Sequence, residues 1–264
     1  MVKDTTHNNW AIILGGSSGL GLASAQKLAQ HGYNICIIHR NRKTELNHIA
    51  QEFEQIKKRN VSFISFNIDA TNKEKRTEVI LDLKEILGKN AKINVLIHSI
   101  AKGNLKPMVS DSKNTLLNDD FRLTINAMAI SLYDWAVDLF EAKLFANDTR
   151  IISFTSEGNT KAWQHYAAVS AAKVTLEAIT RNIALEFAPY GIKANCIQAG
   201  VTDTQSLRRI PGSDQIIEHS IKRNPYHRLT QPNDIANVVY LLCTKEAAWI
   251  NGTTIPVDGG EHLS

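Results

Sequence analysis

The sequence predicts an α/β fold with a doubly wound parallel sheet of about seven strands. Short runs of aliphatic and β-branched residues alternate along the chain with longer segments of helical period. Several of the short runs are apolar at successive positions, which is typical of strands covered by helices on both faces. With 264 residues, 43% of them hydrophobic, and no linker of biased composition, residues 1–264 are expected to form one domain.

The elements follow one another in a regular order. The chain begins with the strands "WAIIL", "YNICII" and "VSFISF", each followed by a helical segment. Next come a strand "INVLIHS", a helical region around 115–142, a strand "RIISFTS", a helix around 162–188 and a strand "IKANCIQ". Ligands of such sheets bind beyond the carboxyl ends of the strands, so the residues just after each strand are the candidate site residues.

Charge, hydropathy and cysteine spacing exclude several classes of protein. A net charge of +4 is too small to indicate nucleic-acid binding, and no apolar run is long enough to indicate a membrane span. Cys36, Cys196 and Cys243 lie far apart in apolar surroundings, without metal-binding or redox spacing. We expect a cytoplasmic enzyme with no metal ion, no nucleic-acid partner and no membrane partner.

A glycine-rich turn, "LGGSSGLG", connects the first predicted strand to the first helix. Glycines there let the backbone approach a pyrophosphate, and the helix N-terminus beyond them favours an anion. Glycine also serves plain tight turns, but a strand before and a helix after the turn favour a dinucleotide site. The predicted cofactor-binding residues of this turn are Gly15, Ser17, Gly19, Leu20 and Gly21.

Basic residues follow the second strand, where an NAD-binding fold usually places a carboxylate for the ribose hydroxyls. The sequence there is "IIHRNRK", with no acid. His39, Arg40, Arg42 and Lys43 are placed to meet a 2′-phosphate, so NADPH is the expected cofactor. The alternative is a solvated basic loop.

Polar residues also follow the third and fourth strands. Asp69 in "NIDAT" is placed to accept from an adenine amino group, and Asp is also a common helix N-cap. Ala70 and Ser99 are predicted to contact the cofactor. His98, a single histidine at a strand end, is expected to be structural.

In this order, these elements resemble the short-chain dehydrogenase/reductase family, and the resemblance covers nearly the whole chain. It implies a Rossmann-type sheet and further matches in "TINAMA", "SFTS", "QAGVTDT" and "INGTTIPVDGG". In that family an Asn supports a proton-relay water, a Ser polarises the substrate, and a Lys binds the nicotinamide ribose. The corresponding residues are Asn126, Ser156 and Lys173, with Gly200, Val201 and Thr204 at the nicotinamide end.

The usual catalytic tyrosine of the family is replaced by Val169. The nearest candidate acid is Tyr166, seven residues before Lys173, and positions i and i+7 share a helix face. A shift of three residues moves the hydroxyl by roughly 4.5 Å along the axis, away from the nicotinamide. In conjugate reduction, negative charge develops two carbons from the carbon that accepts hydride, so this spacing favours C=C over C=O reduction.

The same features are similar to the enoyl-acyl-carrier-protein reductases, most of all the NADPH-dependent type III enzymes. The resemblance implies a thioester of acyl carrier protein or coenzyme A as substrate, a role in fatty acid synthesis, and a homotetramer formed through the helices around 115–142 and 162–188. The alternatives are a carbonyl or 3-oxoacyl-thioester reductase and a non-catalytic NADP-binding regulator.

The segment 204–225 is predicted to be a small helical lid over the substrate, divided by Pro211-Gly212. Trp163 either lines the acyl pocket or packs in the core, and the role of His165 is equally open. Basic residues in or beside the lid would either attract an acidic carrier protein or be solvated surface charges. They are Arg208, Arg209, Lys222 and Arg223.

Overall fold

A computed structural model describes residues 8–111 and 114–264 and contains one sheet of seven parallel strands. Its order is β3-β2-β1-β4-β5-β6-β7, so the predicted doubly wound architecture is confirmed. The strands are β1 Asn9–Leu14, β2 Asn34–His39, β3 Phe63–Asn67, β4 Lys92–His98, β5 Phe145–Ser156, β6 Ile192–Ala199 and β7 Thr254–Val257.

The strand order reverses between β1 and β4. From β1 the chain builds outward through β2 and β3, then returns to the other side of β1 and continues to β7. Leu14, the last residue of β1, pairs with Ile38 of β2 and with His98 of β4. The connections therefore diverge at this point and leave a crevice at the carboxyl end of the sheet.

Nine α-helices connect or cover the strands of the described chain. In order they are α1 Gly19–Gln30, α2 Leu46–Lys57, α3 Lys73–Leu87, α4 Asn118–Ile125, α5 Ser131–Glu141, α6 Ala167–Glu186, α7 Gln205–Arg208, α8 Ser213–Arg223 and α9 Pro232–Leu242.

Two apolar cores lie on opposite faces of the sheet. On one face, Leu28 of α1 and Val239 of α9 belong to the same buried cluster as Ile13. On the other face, Trp135 of α5 and Leu176 of α6 pack in a second cluster. Strand side chains alternate between the two clusters, which explains why the strands are apolar at successive positions.

The starts of two helices bear on what the sequence predicted. The helix expected from about 162 begins only at Ala167, because His165 has a positive φ of 61° that a right-handed helix cannot accommodate. The N-cap of α3 is Asn72, whose side chain accepts from the Lys75 N–H at 2.8 Å, so Asp69 does not take the alternative role of N-cap.

A π-helical turn, Asn126–Ile130, joins α4 to α5 within the region expected to be helical. Such turns widen a helix by one residue and are frequent near functional sites. Across the described ranges, no helix combines the length and the apolar character needed to span a lipid bilayer.

Candidate active site

One continuous cavity of about 540 Å³ runs along the carboxyl edge of the sheet. Its wall is built from the residues that follow the strands, as the fold requires. Asn126, Gly21, Arg42 and Lys43 were predicted at the site but are not among the lining residues of the described chain. The predicted residues that do line it are Gly15, Ser17, Gly19, Leu20, His39, Arg40, Asp69, Ala70, Ser99, Ser156, Tyr166, Lys173, Gly200, Val201 and Thr204.

The glycine turn between β1 and α1 lines the cavity and packs closely against the loop after β4. Gly15 has a φ of 84°, and a Cβ there would lie 2.5 Å from the carbonyl oxygen of Ser99. Gly21 lies behind the wall, where a Cβ would approach the Gly15 oxygen to 2.4 Å. Gly21 therefore allows the first turn of α1 to pack against the loop, while the α1 N-terminus faces a space suited to a pyrophosphate.

The Asp69 carboxylate dominates the wall beyond β3. It accepts hydrogen bonds from the backbone and hydroxyl of Thr71, at 3.0 and 2.7 Å, and from the side chains of Arg40 and Lys102. Burial raises the pKa of this carboxyl, but the hydrogen bonds outweigh burial and hold it well below its usual range. Asp69 is therefore a fixed anion that positions two cations at this end of the cavity.

The loop after β2 contributes only part of the predicted basic cluster. His39 is buried beside Asn41, and burial lowers the pKa of its imidazole, which is therefore neutral near pH 7. Arg40 is on the wall, whereas Arg42 and Lys43 are not among the lining residues. The predicted contribution of all four side chains to a phosphate site is thus reduced to one guanidinium.

Three lining cations were not predicted as cofactor contacts: Lys102, Arg209 and Arg223. Lys102 comes four residues after β4 and lies 3.2 Å from Asp69, and Arg209 comes from the segment after α7. Lys102 could have been found from its place in "HSIAKG", just beyond a strand end. Arg209 carried no such signal, because an insertion of irregular structure gives no indication of which side chains turn inward.

The opposite end of the cavity contains the predicted reactive residues. The Tyr166 and Ser156 hydroxyl oxygens lie 3.4 Å apart. Lys173 is buried on α6, and its Nζ donates to the Phe154 carbonyl at 2.6 Å. Burial lowers the pKa of Lys173 to about 8, and burial raises the pKa of Tyr166, so the phenol is the protonated form at neutral pH.

Tyr166 occupies the N-cap position of α6 and not its interior. Its carbonyl nevertheless accepts the first helical hydrogen bond, from Ser170 at 2.8 Å, so the side chain leaves the chain just beyond the helix end. The ring fills the space over Gly158, where a Cβ would lie 2.5 Å from Cε1. This contact fixes the ring in the cavity wall.

Val169 takes no part in the polar end of the site. It is buried in a small cluster with Met128 and Ala172, and its Cγ2 would be 2.7 Å from a Cβ at Gly103. The position that carries the tyrosine in most relatives of the resembled family is thus packed with hydrocarbon. Tyr166 supplies the phenolic hydroxyl nearest to Ser156.

Four other residues singled out in the sequence have varied surroundings. Asn126 opens the π-helical turn away from the cavity wall. His98 Nε2 lies 2.8 Å from Ser131 Oγ, and burial lowers its pKa to about 3, so it is a neutral structural residue. Trp163 lines the cavity, and His165 Nδ1 is buried without a hydrogen-bond partner in the described chain.

The predicted lid consists of α7 and α8, separated at Pro211-Gly212 as expected. Leu207, Ile210 and Ile216 provide it with an apolar surface on the cavity. The Thr204 hydroxyl caps α7 by accepting from the Leu207 N–H at 3.2 Å. These contacts make the segment a wall of the cavity.

The four basic residues of the lid region, for which a carrier-protein patch and solvated charges were the two alternatives, have different surroundings, and Lys222 is exposed. Arg208 is paired with Asp203 and Asp214, and Arg223 is buried in ion pairs with Glu157 and Glu261. Arg209 lines the cavity. These basic side chains therefore do not share one surface of the lid.

The chain matches a family model described as enoyl-(acyl carrier protein) reductase over residues 15–262. A tropinone reductase homolog of Arabidopsis thaliana is 26% identical over 251 residues, covering 95% of this chain and 90% of the relative. The 3-oxoacyl-(acyl-carrier-protein) reductase FabG of Staphylococcus epidermidis is 27% identical over 258 residues, covering 97% of this chain and all of the relative.

The fold is similar to a solved enoyl-(acyl-carrier-protein) reductase (NADH) of Aquifex aeolicus. The TM-score is 0.85 with 21% sequence identity, and the superposition covers 98% of both chains. At this identity the likeness concerns the arrangement of helices and strands.

Proposed function

The chain belongs to the short-chain dehydrogenase/reductase family, and we propose that it is an NADPH-dependent enoyl-thioester reductase of the type III enoyl-acyl-carrier-protein class. The substrate is a trans-2-enoyl thioester of acyl carrier protein or coenzyme A. The observation that carries the proposal is the position of the phenol: Tyr166 Oη lies 3.4 Å from Ser156 Oγ, while Val169 is packed among apolar side chains.

The residues of the cavity fit a nicotinamide dinucleotide. The glycine turn and the first residues of α1 line the cavity, and the cationic side chains of Arg40 and Lys102 stand at the adenosine end. Lys173, buried at the other end, is the donor for the nicotinamide ribose. When bound, NADPH supplies the hydride.

The polar side chains of the cavity suggest which residues take part in each step of the reaction. Cβ of the enoyl thioester would accept hydride from the cofactor, the π electrons would move onto the thioester oxygen, and the enolate would take its Cα proton from solvent water. Tyr166 and Ser156 offer hydroxyl donors to that oxygen as its negative charge develops. The raised pKa of Tyr166 keeps its proton available for this hydrogen bond at neutral pH.

The nearest alternative is reduction of a 3-oxoacyl thioester, in which the carbon accepting hydride carries the oxygen that is protonated. The similarity to the S. epidermidis FabG favours this reading. It would require the acid and the hydride donor to converge on adjacent atoms, whereas the tyrosine here is set three residues away from the usual position.

A paired assay with crotonyl and acetoacetyl thioesters, each with NADPH and NADH, tests the proposal. We expect NADPH oxidation with the crotonyl substrate and at least about tenfold lower kcat/KM with the acetoacetyl substrate, equivalent to about 1.4 kcal/mol in barrier height. NADPH oxidation with the keto substrate alone would establish the alternative. Tight NADPH binding with no turnover of either thioester would indicate a non-catalytic regulator.

A further inference from the structure

Arg208 and Arg209 are neighbours at the end of α7 with different surroundings. Arg208 donates two hydrogen bonds of 2.7 Å to Asp203 and one of 2.6 Å to Asp214. Arg209 makes no hydrogen bond or ion pair within the described ranges, and it lines the cavity. One arginine is therefore neutralised by surface acids, and the next keeps all its donors available on the cavity side.

The lid places this free guanidinium near the nucleotide end. Thr204, which caps α7, lies over the glycine turn, since its Cγ2 would be 3.5 Å from a Cβ at Gly19. From there α7 continues along the cavity to Arg209, with Arg40 and Asn41 contributing to the same wall. The charge of Arg209 also helps, after hydrogen bonds from the loop itself, to lower the pKa of the Glu45 carboxyl.

The carboxylate of Glu45 is already engaged by its own loop. It accepts from the Asn41 amide at 3.1 Å and from the Arg42 N–H at 3.0 Å, so it closes the loop 40–45 on itself. Arg209 faces this loop without bonding to it. A guanidinium that has no hydrogen-bond partner in the described chain and lines the same cavity as Arg40 is a match for a phosphate group.

We propose that Arg209 binds the 2′-phosphate of NADPH from the lid side, opposite Arg40. The 2′-phosphate, which distinguishes NADPH from NADH, would then connect the lid to the loop after β2. The preference for NADPH over NADH is thereby linked to closure of α7 over the cavity. This inference rests on the NADPH preference in the proposed function.

The direct test is the binding affinity of NADPH and NADH for the wild type, Arg209→Gln and the matched control Arg208→Gln, by titration calorimetry without thioester. We expect Arg209→Gln to lose about tenfold in NADPH affinity, the loss of one charge-assisted contact, and to leave NADH affinity unchanged. Arg208→Gln should change neither affinity, because its partners are Asp203 and Asp214.

Hydrogen exchange of residues 205–212 gives a second readout. NADPH should protect this segment more than NADH does in the wild type, and the difference should vanish in Arg209→Gln. A Glu45→Gln variant removes the carboxylate whose charge interacts with Arg209 but leaves Arg209 in place. It should retain the NADPH preference, because the proposed contact of Arg209 is with the phosphate and not with Glu45.

Each unfavourable result has a distinct meaning. A wild type that binds NADH as tightly as NADPH would overturn the proposed cofactor, whatever Arg209 does. A wild-type preference for NADPH that survives in Arg209→Gln would overturn the role of Arg209 alone. Equal losses for NADPH and NADH, or the same losses in Glu45→Gln, would show that Arg209 only maintains the shape of the lid.

Discussion

The phenol of Tyr166 is held by contacts that are local in space but come from three segments. Its ring covers Gly158 in the turn after β5, its hydroxyl lies beside Ser156, and its backbone starts α6. A positive φ at His165 turns the chain into this position. Packing and hydrogen bonding thus position a tyrosine that lies just outside the helix.

Replacing Tyr166 with Phe removes the hydroxyl and keeps the ring over Gly158. We expect kcat for the crotonyl thioester to fall by at least about a hundredfold, since a donor to the developing enolate oxygen is lost. The NADPH dissociation constant should stay within about twofold, because the cofactor contacts of the wall are unchanged. Kinetics and cofactor titration of the same preparation measure both quantities.

Ser156→Ala is the companion variant, because it removes the neighbouring hydroxyl without touching the ring. A smaller fall than that of Tyr166→Phe is expected, since the phenol remains. Undiminished turnover in Tyr166→Phe would contradict the assignment of the enolate-stabilising donor and with it the main argument for C=C reduction.

At the scale of elements, the lid is anchored at one end. Arg223, the last residue of α8, pairs with Glu157 next to Ser156 and with Glu261, whose second oxygen accepts from the Val201 N–H at 3.1 Å. Burial raises the pKa of Glu157, but hydrogen bonds, first of all from Arg223, lower it overall. Movement of the lid is therefore expected in α7 and at Pro211-Gly212, with the end of α8 fixed.

Arg223→Met tests this anchor. Glu157 keeps its ion pair with Lys161, but the buried carboxylate of Glu261 loses its cation, so we expect the free energy of unfolding to fall by about 3–5 kcal/mol. Arg208→Met is the control, because its ion pairs are solvent-exposed and screened, so their loss should change the free energy of unfolding much less. Urea unfolding of both variants gives the comparison, and equal small losses would mean that the network does not anchor α8.

At the scale of the whole molecule, the parallel sheet brings distant residues to one edge. All seven strands point the same way, so the residues after β1 through β6 meet in one cavity. That assembly was predictable, because apolar runs identify strands and parallel strands share a carboxyl edge. The glycine turn and Asp69 were found by their position after a strand, and Ser156 was found by its match to the family.

Side-chain pairing across long sequence distances was not predictable. Arg223 and Glu261 are joined although 38 residues separate them, and Arg40 looked available for a phosphate but is bound by Asp69. Asp69 and Asn72 are equally good N-caps by residue type, and only the path of the chain decides between them. Hydrophobic periodicity indicates which face of a helix or strand is buried, but it does not indicate which charged side chains form ion pairs.

The expected homotetramer remains a proposal that the surface of the molecule supports. Large apolar side chains are exposed on the adjoining α4, α5 and α6, among them Leu123, Tyr133 and Val174. We expect sedimentation to show a tetramer for the wild type and smaller species for Val174→Glu. Leu81→Glu on α3, also at an exposed apolar position, should leave the assembly intact, and a monomeric wild type would contradict the proposal.

The two glycine contacts around the phenol also restrict how such a site can evolve. Gly158 is free of a side chain because a ring at 166 takes its space, and Gly103 is free of one because Val169 takes its space. A chain that returned its tyrosine to 169 would overfill the room beside Gly103 and open a gap above Gly158. Residues 103, 158, 166 and 169 are thus expected to covary among descendants, and a single substitution cannot convert one lineage into the other.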